Sequence, residues 1–117
     1  SITSILENSC KLIRKGGSFI ALGSTAAAKG RTGIAMYSAT KAALNAFVEG
    51  MAEPLSKKGI RINVICPAKV ATPLQTKLNP SAKQEDMIQP NDLADIIIGY
   101  IDIASTGNIS YVRVGEC

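Results

Sequence analysis

Histidine and tryptophan are both absent from the 117 residues. The first absence removes the commonest metal ligand and the commonest general base, so no metal centre is expected and any proton transfer must use another side chain. Aromatic residues make up 4% of the chain, which leaves aliphatic side chains and alanine to fill the interior. The cysteines Cys10, Cys66 and Cys117 are odd in number and show no C-x-x-C spacing. A disulfide framework is therefore a poor fit, and buried thiols in a reducing, cytoplasmic compartment a better one. No apolar stretch reaches the ~20 residues needed to span a bilayer, and the chain opens at Ser1 without a charged leader or cleavage site. The net charge of +4 comes from scattered Lys and Arg that are not interleaved with aromatics. Such charges read as solvated surface, with neither a nucleic acid nor a membrane as partner.

Enough apolar material remains for a core: 46% hydrophobic residues and a mean hydropathy of +0.17 describe a single folded unit over 1–117. Near-helical spacing of Ile2, Ile5, Leu6, Leu12 and Ile13, closed by Arg14-Lys15 and Gly16-Gly17, predicts a first helix. Residues 18–23 are a continuous apolar run between glycines, as expected of a strand buried on both faces. A loop over 25–34, punctuated by Gly30 and Gly33, leads to an Ala-rich helix expected over 35–58, with Pro54 predicting a kink and Gly59 its end. A second buried strand follows over 60–66. Residues 74–89 are polar and predict a mobile lid or linker. A helix from Pro90 to about 104, a turn at Thr106-Gly107-Asn108 and a last strand over 109–114 complete the chain. This helix–strand alternation predicts parallel strands joined by crossover helices, a Rossmann-like open α/β sheet whose site lies beyond the carboxyl ends of the strands.

Three segments bring chemistry to that edge. Tyr37 and Lys41 are four residues apart at the front of the long helix, so they share one face and can reach a common ligand. An ammonium beside a phenol stabilises the phenolate, which suits a tyrosine to proton exchange near neutral pH. Ser24 ends the first strand and offers a hydroxyl to a substrate oxygen. An ordinary helix pair would also place a tyrosine four residues before a lysine. The surrounding order weighs against coincidence: strand, Gly23-Ser24, Tyr37-x-x-x-Lys41-Ala-Ala-Leu, long helix, Gly59-Ile-Arg-Ile-Asn-Val-Ile-Cys-Pro67, then Val70-Ala-Thr72-Pro.

In sequence and spacing this order resembles the short-chain dehydrogenase/reductase family, and specifically the second half of that family's fold. The resemblance implies hydride transfer between NAD or NADP and a carbonyl or secondary alcohol. It implies Ser24, Tyr37 and Lys41 as the catalytic set, with Tyr37 and Lys41 also meeting the cofactor. Pro67, Val70 and Thr72 would border the nicotinamide, although Thr72-Pro73 also reads as a plain turn. Family members usually carry Pro-Gly where this chain has Pro67-Ala68, and an asparagine aligning at or just before Ser1, for which Asn8 lies too late. The G-x-G-x-x-G phosphate loop is not found in these residues. The chain alone is therefore expected to bind a dinucleotide weakly, and a non-catalytic remnant or association module stands as the alternative. The resemblance further implies a homodimer or homotetramer through the long helix, centred on residues 39–50, where Ala42, Ala43, Ala46, Phe47 and Gly50 extend the apolar surface past one core-facing stripe.

Overall fold

The computed structural model describes residues 15–28, 32–78, 80, 81 and 83–114, together with Ile5, Asn8 and Ile13. The helix expected over 2–15, the asparagine position at Ser1, Gly30, Cys10 and Cys117 lie largely or wholly outside them.

Three parallel strands form one sheet in the order β1 (Ser18–Leu22), β2 (Arg61–Pro67), β3 (Ile109–Val112). Ser18 pairs with Arg61 and Leu22 with Ile65, while Val64 pairs with Ile109 and Pro67 with Val112. The central strand carries the branched aliphatics Ile62, Val64 and Ile65, which suit a strand covered on both faces. From Ile62 to Pro67 it is buried throughout. Its alternate residues feed two cores. Ile62, Val64 and Cys66 pack with Ala21, Val48 and Leu55 beneath helix α1 (Ala35–Ser56). Ile65 packs with Ile88 and Leu93 beneath helix α3 (Pro90–Ile101). Each such aliphatic contributes about 1.5–3 kcal/mol by leaving water.

Glycine sets where α1 stops. Gly59 has φ +73, a conformation glycine adopts without Cβ strain. Ile60 N–H then donates to Leu55 O and Gly59 N–H to Ser56 O, each at 2.9 Å. This is the pair of bonds that closes a Schellman motif, with Ile60 and Leu55 joining in the core. The helix continues through Pro54 and gives out at Ser56, two residues before the expected end.

One expectation is qualified and one corrected. Strand β1 does pack on both faces, Phe19 and Ala21 on the first core and Ile20 on the second, but among the described residues it is paired on one side only, and its last residue, Leu22, is 51% exposed. The segment 74–89 is not a structureless linker. Pro73–Leu78 forms a short helix, α2, and Gln84–Asp86 a 3₁₀ turn. Thr72 caps α2 by accepting the Gln75 N–H at 3.1 Å, with Pro73 at the first helical position, where a missing N–H costs nothing. Met87 and Ile88 are buried, and Ile88 exchanges main-chain bonds of 2.8 Å with Lys69 and Ala71.

Candidate active site

Because all three strands are parallel, their carboxyl ends share one edge, and the chain leaves β1 there through Gly23 and Ser24. Gly23 N–H still donates to Ile65 O at 2.7 Å, so the ladder runs one residue past the strand. A side chain has no room at Gly23: an added Cβ would stand 2.8 Å from Cys66 Sγ and 3.1 Å from Val64 Cγ2. Ser24 then turns into the 3₁₀ segment Thr25–Ala28, and its Oγ accepts the Ala26 N–H at 3.1 Å. That bond uses a lone pair and leaves the hydroxyl proton for an outside acceptor.

Helix α1 begins against this loop. Its first turns present Tyr37 half exposed and Lys41 partly buried, and the Lys41 Nζ lies 5.8 Å from the centre of the Tyr37 ring. The same ammonium reaches Leu22 O at 3.5 Å, the long limit of a hydrogen bond. Lys41 therefore bridges the tyrosine and the tip of β1 while keeping donors in hand. Ser38, next to Tyr37, faces inward and is buried. Helix α1 thus turns its core stripe through Ser38, Asn45, Val48 and Leu55, not through Tyr37.

The other expected residues border the same edge in different roles. Pro67 is buried and closes β2, while Val70 packs on the second core and pairs with Ile88. Thr72 spends its oxygen on the α2 cap.

Sequence reasoning left out what lies underneath. Cys66 is fully buried, and its thiol donates to Asn45 Oδ1 at 3.5 Å. Burial pushes this thiol up from its ordinary value of 9.0; the Ser24 N–H, the Asn45 amide and the Lys41 charge offset that only in part. The available signal was positional: Asn45 sits one turn beyond Lys41 on the inward stripe. Among the described residues no cluster of acidic or cysteine side chains is able to hold a metal ion, and no helix is long and apolar enough to cross a membrane.

Residues 3–83 match the family model described as short chain dehydrogenase. The chain is 29% identical over 113 residues to the NADPH-dependent aldehyde reductase 1, chloroplastic, of Arabidopsis thaliana, covering 92% of this chain and 39% of that protein. A short-chain dehydrogenase/reductase from Brucella melitensis superposes with a TM-score of 0.86 at 23% identity, over 97% of this chain and 51% of that one. A 7 alpha-hydroxysteroid dehydrogenase, solved with NADH and 7-oxo glycochenodeoxycholic acid, superposes with a TM-score of 0.76 at 26% identity, over 86% of this chain and 44% of that one. The chain thus spans about two-fifths to one-half of these three proteins.

Proposed function

Because the chain belongs to the short-chain dehydrogenase family, we propose that it carries the catalytic half of an oxidoreductase acting on a carbonyl or secondary alcohol. Ser24, Tyr37 and Lys41 are its working residues. The observation that carries this reading is the Lys41 ammonium, held 5.8 Å from the Tyr37 ring and against the tip of β1 that ends in Ser24.

The residues fit the nicotinamide end of NAD or NADP. Lys41 has a single long contact and spare donors, Tyr37 offers an accessible phenol, and the Pro67–Thr72 loop borders the same edge. When bound, the nicotinamide would supply or accept the hydride. Tyr37 hands its proton to the oxygen that gains charge in the reduction and takes it back in the oxidation. Ser24, its own oxygen satisfied by Ala26, donates its hydroxyl proton to that same oxygen and holds it in place. Lys41 keeps positive charge beside Tyr37 and offers its remaining donors to ribose hydroxyls. Val70 and Thr72 contribute through the course of the loop.

Residues 1–117 are read as the C-terminal half of a Rossmann-type domain, which accords with the share of each relative that they cover. The substrate is a small molecule, the setting cytoplasmic, and the assembly a homodimer or homotetramer through the outward alanines of α1.

The test supplies the whole protein with dinucleotide deuterated at the transferable position and a panel of aldehydes and ketones. Deuterium on the carbinol carbon is the expected result. A folded, dinucleotide-saturated protein that transfers none across the panel would contradict the reading and favour an association module.

A further inference from the structure

The segments carrying the three catalytic groups all touch one buried sulfur. Cys66 lies in the central strand, wholly inaccessible, with β1 and β3 bonded on either side. Gly23 rests over its Sγ so closely that a Cβ would stand 2.8 Å away. The Ser24 N–H faces the same sulfur. From the helix side Asn45 accepts the thiol proton at 3.5 Å, and Asn45 Oδ1 would itself be 3.5 Å from a Gly23 Cβ. Asn45 is 6% exposed and one helical turn beyond Lys41. Neither residue has a part in the chemistry proposed above.

We propose that Asn45 and Cys66 are positioning residues, a buried clamp that fixes Ser24 at the tip of β1 relative to the turn of α1 bearing Tyr37 and Lys41. The inference rests on the functional reading given above. Its physical basis is the rigidity of the parts. β2 cannot shift without breaking two ladders, and Gly23 leaves no slack above the sulfur. Asn45 cannot move without leaving a buried amide oxygen unpaired. The direction in which Ser24 leaves the sheet is therefore set by the sulfur beneath it. A displacement of about 1 Å in a catalytic group is able to cost on the order of 10²-fold in rate, so a partial loosening should cost about tenfold.

The experiment is a double-mutant cycle on the whole protein, reading kcat and dinucleotide KM separately. Cys66→Ala removes one buried atom and the donor to Asn45. The expected result is a fall in kcat of about tenfold, with the KM for dinucleotide nearly unchanged. Cys66→Ser, which restores a donor, should recover most of the loss. Acting through Ser24, the clamp should have nothing left to position once the hydroxyl is gone. The double variant Ser24→Ala/Cys66→Ala is thus expected to be no slower than Ser24→Ala alone. A multiplicative double variant, or Cys66→Ala at wild-type kcat, overturns the inference. Should Cys66→Ala fail to fold, the same cycle with Asn45→Leu decides it by the same criteria. Ser24→Ala at wild-type turnover would instead overturn the reading of the site itself, and the clamp with it.

Discussion

At the end of the sheet where the strands begin, Arg61 N–H donates to Gly17 O at 3.0 Å and Gly16 N–H to Gly59 O at 2.6 Å. The Arg61 guanidinium reaches both Gly16 O and Ile103 O. Buried Asn63 donates to Ser105 O and accepts the main-chain and side-chain N–H groups of Asn108 at 3.0 and 3.1 Å. At the opposite end Tyr37 is 50% exposed, and among the described residues Lys41 makes one hydrogen bond, at 3.5 Å. One end spends its polar groups on itself; the other keeps them available. On the function proposed above, stability and reactivity are assigned to opposite ends of the same three strands, and each should be open to change without the other.

A large break in this comparison should come from Ser24→Ala, which removes the hydroxyl donor proposed to face the developing charge. Loss of one such donor typically lowers kcat by about 10²–10³-fold, while the N–H of buried Ala26 loses the partner Ser24 gave it. Turnover should fall far more than the accompanying small drop in melting temperature explains, measured on the whole protein. At the other end Asn63→Leu strands Ser105 O and two Asn108 donors. It should lower unfolding free energy by about 2–3 kcal/mol in a denaturant titration, with kcat unaffected below the melt. A kcat loss matching Ser24→Ala would dissolve the division between the two ends.

Smaller effects sharpen the picture. Ala42, Ala43, Ala46 and Gly50 are exposed on α1, whereas Phe47 packs on the first core and leaves the apolar excess to the small residues. If the proposed homo-oligomer forms through this face, Ala46→Glu should yield monomer in light scattering, with the far-UV spectrum retained. The smallest effect concerns the buried thiol. Its ionisation is pushed above the ordinary value of 9.0, so below that value it is neutral folded or unfolded and carries no pH-dependent term. As pH rises above it, the unfolded thiol ionises first, and stability is lost towards the folded value. Cys66→Ser should show a shallower decline of stability as pH rises above 9.0 in paired melts.

Much of this was legible along the chain wherever neighbours in sequence are also neighbours in space. Tyr37 and Lys41 follow from one helical turn, Gly59 from the need to end a helix in the left-handed region, and β2 from Ile60, Ile62 and Val64 alternating with Arg61 and Asn63 before Ile65 and Cys66. Reading failed where contacts are distant and, once, over a local helix start. The exposure of Leu22 depends on which strands flank β1, which its own residues do not encode. The lid reading of 74–89 weighed polarity and missed that Thr72-Pro73-x-Gln75 is a helix start. Asn45 meets Cys66 across 21 residues of sequence, and neither carries a local mark of that pairing.

The central claim, that Tyr37 exchanges the proton with substrate, is tested most directly by turnover of Tyr37→Phe in the whole protein, alongside its melting temperature. The ring stays, only the half-exposed hydroxyl goes, and the packing beneath it at Ser38 and Asn45 is untouched. The account predicts a loss of about 10²–10⁴-fold in kcat with the melt unchanged. Near wild-type turnover in this variant would contradict it.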